Sequence, residues 1–343
     1  MKIIFPTLGF VMSGGFRYIC EVANGLTEKG HEVFILTPMG SKSPFPLKAV
    51  QLQKKFLIHH NKYLNFITNT YSLFRTTPKC DILVANYWIT VYSAFFSRIY
   101  RKGIPFYLVQ AYEPFFMADK IFEQLAKMSY YLVDNIITNS MWTDNMIHKK
   151  THVIHPGVNT EIFKPLNIKT GKKVIFAVGS NALPLKGFED FVQSMKIVRK
   201  EYPDIEIIVA THENINESRI PIKFVKAQND FEMARLYSAC DVFVSTSWYE
   251  GFCLPPLEAM ACGAPVVTTD SGGINDYAIH QKNSLIVTPK EPMKIANAVL
   301  KILSDGELAK KLRDKGIETA SKFPWQKTVD RIEQIFLDAL SRK

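Results

Sequence analysis

The feature that most narrows the folds open to this chain is an alternation that runs through it twice. Short apolar runs at residues 3–5, 33–36, 82–85, 106–109, 136–138 and 152–154 form a first series. Runs at 174–178, 205–210, 223–225, 242–245, 266–269 and 285–287 form a second, with helical periodicity between them. In the first intervening stretch Ile19, Val22, Ala23 and Leu26 fall at i, i+3, i+4 and i+7, and Gly30 marks a helix stop before the next apolar run. Strand, helix and strand in that order make a βαβ unit, and its repetition builds a parallel sheet covered on both faces. A chain of 343 residues also exceeds what one hydrophobic core usually serves. The expected fold is α/β, with two Rossmann-like doubly wound domains facing across a cleft.

The stretch KPLNIKTGKK is the best linker, which places an N-terminal domain at residues 1–163 and a C-terminal one at 164–324. A last helix at about 325–343 is expected to pack back on the first domain. The opening MKIIFPTLGF has neither a leader-like apolar core nor a small-residue cleavage site. Its five cysteines form no CxxC pair and sit in apolar surroundings, so the chain reads as a cytoplasmic protein with reduced thiols.

Net charge is +10, unevenly placed. No acidic residue occurs between Glu32 and Asp81, where Lys42, Lys48, Lys54, Lys55, Lys62, Arg75 and Lys79 lie among Phe56, Tyr63, Phe66, Tyr71 and Phe74. Cations interleaved with aromatics fit an anionic membrane surface, here through residues 33–80 at the inner face of the plasma membrane. A solvated basic face with its aromatics turned inward is the other reading. Nucleic acid is not expected as a partner, because no RNA or DNA module accompanies the charge.

The chemistry concentrates in YEGFCLPPLEAMACG, residues 249–263, where Glu250 and Glu258 stand eight positions apart around a turn. Pro255 or Pro256 suits a first helical position, and Gly263 the residue just past a helix end. The start of that helix, with the N–H groups of Phe252, Cys253 and Leu254, can hold a phosphate or diphosphate. Glu258, expected in the first turn, would be repelled by such an anion unless its oxygens meet hydroxyl donors such as a ribose diol. Glu250 can accept from hydroxyls further along. Two hydroxyl acceptors with a helix end between them describe a nucleotide sugar.

EGFCLPPLEAMACGAPVV followed by TDSGGINDY resembles the signature of retaining glycosyltransferase family 4, the group 1 glycosyltransferases with two Rossmann-like domains (GT-B fold). SGGFRYICEVANGLTEKGHEVFILTP and HVIHPGVNTEIFKP extend the resemblance over nearly the whole chain. It implies a metal-independent enzyme, with no cofactor beyond its nucleotide-sugar donor and a sugar or lipid-linked saccharide acceptor. Glu258 resembles the family's ribose ligand and Glu250 the residue that holds the transferred sugar. Gly251, Phe252, Cys253 and Leu254 form the donor turn, and Gly14 and Gly15 match a glycine loop that closes on the diphosphate, where glycine permits close approach and positive φ.

Two departures stand out. Lys186 matches one cation of the family's basic pair, but Ser180 occupies the place of the expected arginine, so Arg17 or another cation would have to substitute. Where many members carry a histidine, this chain has Gln110, Tyr112 and Glu113, which read either as catalytic residues or as strand-end structural ones. Their run is weakly similar to a rhamnosyltransferase-like branch. A catalytically weak sugar-nucleotide-binding scaffold is therefore the alternative to the enzyme. No Asp-x-Asp occurs, and the loop at residues 9–15 is not Gly-x-Gly-x-x-Gly.

Overall fold

The computed structural model describes residues 1–168, 170–180 and 183–342. Two compact units divide it, one of residues 1–156 with 325–343 and one of residues 157–324.

The first unit is built on a parallel sheet of β1 (Lys2–Pro6), β2 (Glu32–Pro38), β3 (Val50–Lys54), β4 (Ile82–Ala85), β5 (Ile104–Val109), β6 (Asn135–Thr138) and β7 (His152–Val153), in the order β3-β2-β1-β4-β5-β6-β7. Ile3 pairs with Val33 and Ile4 with Phe34. Alternation along β1 sends Ile3 and Phe5 to one core and Ile4 to the other. Covered on both faces, such a strand must be apolar throughout, which explains the uninterrupted runs in the sequence. The helix Gly14–Glu28 covers one face with Tyr18, Ile19, Val22, Ala23 and Leu26.

The C-terminal helix Trp325–Ser341 shares that core through Val329, Ile332, Ile335 and Phe336. It approaches closely because Gly25 has no side chain: a Cβ there would lie 2.5 Å from Val329. Lys29 and His31 both reach Glu333, at 2.6 Å each.

The second unit carries β8 (Val174–Val178), β9 (Glu206–Ala210), β10 (Lys223–Val225), β11 (Val242–Ser245), β12 (Val266–Thr269) and β13 (Leu285–Val287), all parallel, in the order β10-β9-β8-β11-β12-β13. The order reverses between β8 and β11. A reversal point of this kind, outside the carboxyl ends of the strands, is where open α/β sheets bind ligands.

The division between units falls seven residues before the boundary expected at 163. Packing explains the correction. Val158 bridges to Pro324, its N–H donates to the Phe323 carbonyl at 2.7 Å, and Phe163 packs against Tyr237. The segment 157–163 thus belongs to the second unit, and the apparent linker runs within that unit.

Candidate functional site

Lys186 and Glu250 lie on the two loops that flank the reversal point, after β8 and after β11. Their side chains form an ion pair at 2.8 Å. Backbone contacts bring the loops together. The Trp248 N–H donates to the Leu185 carbonyl at 2.8 Å, and the Thr246 hydroxyl to the Gly187 carbonyl at 2.8 Å. The indole of Trp248 donates to Asp190 at 2.6 Å. Gly187 has φ +65°, and a Cβ there would lie 2.0 Å from the Thr246 carbonyl oxygen, so only glycine lets the loops meet. The negative charge of Glu250 raises the pKa of Lys186 above the ordinary lysine value, keeping the ammonium protonated.

Glu250 is fixed at its backbone as well. Its N–H donates to Ser271 at 2.8 Å, and its carbonyl accepts from Gly273 at 3.0 Å. The turn that follows leads into the helix Leu254–Ala261, which Cys253 caps with φ +68°, a left-handed conformation uncommon outside glycine. Two contacts hold that turn. The Tyr277 hydroxyl donates to the Cys253 carbonyl, and Gly273 sits so close to Gly251 that a Cβ would approach its oxygen to 1.8 Å. Burial pushes the Cys253 thiol well above its usual pKa, so it is no ready nucleophile.

The helix starts at Leu254, one residue before Pro255 and two before Pro256, a small correction to the expected start. Pro255 and Pro256 have no N–H, so the amides of the preceding turn and Leu254 are the donors this end can present. Phe252 and Leu254 are themselves buried. Gly263 follows the helix with φ +76°, the expected left-handed stop.

Glu258 lies in the second turn, not the first, because the helix begins at Leu254 and the carboxylate is one turn further on. It is 7% exposed, and the Tyr237 hydroxyl donates to its Oε2 at 3.0 Å. Tyr237 is a site residue that sequence reasoning missed. Ser180, in place of the expected arginine, donates to Glu213 at 2.5 Å.

The first unit holds the remaining expected residues. Gly14 and Gly15 open the helix Gly14–Glu28 behind the cap Ser13, and neither has the positive φ anticipated for them. Gly15 instead lies against Gln110: a Cβ would come 2.6 Å from its Oε1, the end of a side chain that could shift to make room. That oxygen is buried and has no hydrogen-bond partner among the described residues. Arg17 lies over the Phe45 ring at 5.2 Å.

Glu113 is 7% exposed; it accepts from the Trp88 N–H at 2.8 Å and from the Tyr107 hydroxyl at 2.7 Å, while its own N–H donates to Tyr130 at 3.1 Å. Burial pushes its carboxyl up to about 8. Enclosure of this kind fits the strand-end structural reading of Glu113 better than contact with substrate. The seven-cation segment is partly engaged too: Lys48 pairs with Glu28, and Lys62 with Asp119 at 2.5 Å. Phe56 is buried, and Phe66 stacks on Trp88 at 5.2 Å.

Two parallel-sheet α/β units, the second with a cation, two carboxylates and a helix start at its reversal point, match the GT-B architecture of glycosyltransferases. A model of the family described as "Glycosyl transferases group 1" matches residues 158–319, and one of "Glycosyltransferase Family 4" matches residues 12–162. The chain belongs to the group 1 glycosyltransferases of family 4.

Among relatives, the D-inositol 3-phosphate glycosyltransferase of Thermobispora bispora is 23% identical, over 96% of this chain and 91% of its own. Further relatives of the same name are matched over about half of their own length. Sucrose-phosphate synthase from Thermosynechococcus elongatus superposes with a TM-score of 0.85 at 19% identity, over 100% of both chains. Anabaena HepE in complex with UDP-glucose gives 0.77 at 17% identity, also over 100% of both. At such identities the superpositions establish the fold alone.

Proposed function

We propose that this glycosyltransferase moves a sugar from a nucleoside-diphosphate donor to a hydroxyl acceptor with retention of configuration, without a metal, in bacterial-type polysaccharide or glycolipid synthesis. The observation that carries the reading is the Lys186–Glu250 pair beside the start of the helix Leu254–Ala261, with Glu258 buried one turn on. Lys186 and the amides of the turn hold the diphosphate and offset charge as it leaves. Glu250 accepts from hydroxyls of the transferred sugar, and Glu258 from those of the ribose. The acceptor oxygen attacks the anomeric carbon on the face the diphosphate leaves. A new C–O bond forms as the bond to phosphate breaks, and the acceptor proton passes to the departing phosphate oxygen.

Glu258→Gln should weaken donor and free nucleoside diphosphate alike, whereas Glu250→Gln should impair turnover and leave diphosphate binding nearly intact. Titration calorimetry showing equal losses for both would contradict these roles. A sugar-nucleotide-binding scaffold is the second reading, favoured by Ser180 being bonded to Glu213 where an arginine was expected. Donor hydrolysis without acceptor, followed by mass spectrometry across a panel of nucleotide sugars, separates the two.

The acceptor is a sugar or lipid-linked saccharide, and the chain docks peripherally on an anionic membrane. Leu57, Ile58, Leu64, Ile67 and Tyr71 are exposed on and before the helix Lys62–Thr76, which has no acidic residue, with Lys54, Lys55 and Arg75 exposed alongside. Because Lys62 is held by Asp119, the informative charge variant is Lys54, Lys55 and Arg75 changed together to Gln. Its sedimentation with acidic vesicles should drop and should weaken with salt in the parent chain, where screening acts over roughly 8 Å. Salt-independent sedimentation, or no change in the variant, would return the segment to a solvated face.

A further inference from the structure

Tyr237 is fully buried, and the aromatic rings around it leave its hydroxyl little freedom. Its ring centroid lies 6.1 Å from Phe163, 5.2 Å from Phe176 and 5.3 Å from Phe243, inclined to each at 62° to 73°. The hydroxyl projects from this cage onto Glu258 Oε2 at 3.0 Å. A phenol facing a carboxylate is the donor, so one oxygen of Glu258 is held from beneath. That contact restricts rotation of the carboxylate about its last side-chain bond, a torsion that is otherwise broad. A carboxylate with its plane fixed can meet two adjacent hydroxyls at once; one free to rotate must be ordered by the ligand, which lowers affinity.

We propose that Tyr237 is a positioning residue that sets the plane of the Glu258 carboxylate and thereby makes the chain select donors built on ribose over those built on 2′-deoxyribose. The inference rests on the reading of Glu258 as the ribose acceptor. A vicinal 2′,3′-diol donates two hydrogen bonds to the prepared carboxylate, and a deoxyribose donates one. The substrate class is thus a ribonucleoside-diphosphate sugar. Tyr237→Phe retains the ring and its packing and removes only the hydroxyl, so its effect falls on the diol more than on the single hydroxyl.

The test titrates UDP, ADP and GDP into the parent chain, takes the tightest of the three, and compares it with its own 2′-deoxy form. Parent, Tyr237→Phe and Glu258→Gln are measured in parallel, with thermal unfolding as a check on the fold. The parent should prefer the ribose form by about tenfold, the worth of one hydrogen bond to a charged group. Tyr237→Phe should weaken the ribose form and leave the deoxy form nearly unchanged, reducing the preference to about threefold or less.

Equal weakening of both forms, the pattern of a purely structural tyrosine, overturns the proposal. So does an unchanged preference, or a parent without one. If Glu258→Gln retains both affinity and preference, or none of the three nucleotides binds the parent, the reading of Glu258 fails first.

Discussion

Gly273→Ala is the sharpest perturbation of the site that substitutes none of the proposed ligand-binding side chains. The added Cβ would lie 1.8 Å from the Gly251 oxygen, 2.3 Å from its carbonyl carbon and 2.8 Å from the Phe252 nitrogen, where real contacts essentially never fall below 3.0 Å. All three atoms are backbone, so no rotamer relieves the clash, and the turn carrying Glu250 must retreat by about 1.2 Å. Retreat stretches the Gly273 N–H to Glu250 bond, now 3.0 Å, and the Glu250 N–H to Ser271 bond, now 2.8 Å. Each backbone bond contributes about 1 kcal/mol net, and overpacking typically costs about 1–3 kcal/mol. With both bonds lost, stability should therefore fall by roughly 3–5 kcal/mol.

A displacement of about 1 Å at a reacting centre can cost on the order of 100-fold in rate. Turnover of the nucleotide sugar should fall by about that factor. Binding of free nucleoside diphosphate, which depends more on Glu258 one helical turn on, should weaken less. Gly306→Ala is the control, since nothing lies within 4 Å of a Cβ there. Turnover of Gly273→Ala within threefold of the parent, at unchanged stability, would refute the argument that this contact sets the position of Glu250.

Lys186→Ala should lower turnover by about 100- to 1,000-fold; because Glu250 raises the lysine pKa, the parent should show no loss from lysine deprotonation below pH 9, and one in the pH–rate profile would contradict the pairing. Cys253→Gly should relieve the left-handed strain and raise stability by about 1 kcal/mol with activity retained, and a lower melting temperature would count against it. Turnover should survive EDTA treatment and dialysis; complete loss restored by a divalent ion would sink the metal-independent mechanism. Glu113 has a folded-state pKa of about 8, raised by burial, so the folded chain holds a proton that the unfolded chain has released. Stability should consequently fall as pH rises from about 5 to 8, by at most about 1.4 kcal/mol per pH unit from this group, and flatten above 8. Glu113→Gln should remove that slope, and denaturant titrations showing the same slope in both would refute the assignment.

Both the fold and the site were legible in the sequence where the relevant contacts are local. Strands such as Val174–Val178 and Val266–Thr269 are buried on both faces, so the sheet writes itself as uninterrupted apolar runs. The edge strand Val50–Lys54, reading VQLQK, escaped notice because only one neighbour pairs with it and its side chains are half solvated. The domain boundary misled for a related reason. Polar, proline-containing sequence at 164–173 looks like a linker, yet what assigns 157–163 to the second unit is a bridge from Val158 to Pro324, a partner far along the chain.

The same distinction separates the parts of the site that could be read from those that could not. Glu250, Cys253, Leu254, Glu258 and Gly263 share one turn and one short helix, so spacing groups them, although it puts the helix start at a proline and Glu258 one turn too early. Their supports come from elsewhere: Lys186 is 64 positions from Glu250, Tyr237 is 21 from Glu258 and Tyr277 is 24 from Cys253. No local periodicity encodes such pairs; Lys186 meets Glu250 because β8 and β11 are neighbours in the sheet, Tyr277 meets Cys253 from the segment after β12, the other neighbour of β11, and Tyr237 meets Glu258 because the helices before and after β11 pack together. Glycines show the limit most clearly. Positive φ explains Gly263, but Gly187 and Gly273 are also demanded by backbone atoms of Thr246 and Gly251, which a residue-by-residue reading cannot bring beside them. Glu113 extends the point to chemistry. As a letter after a strand it is equally a catalytic acid or an anchor, and only its enclosure by Trp88, Tyr107 and Tyr130 favours the anchor.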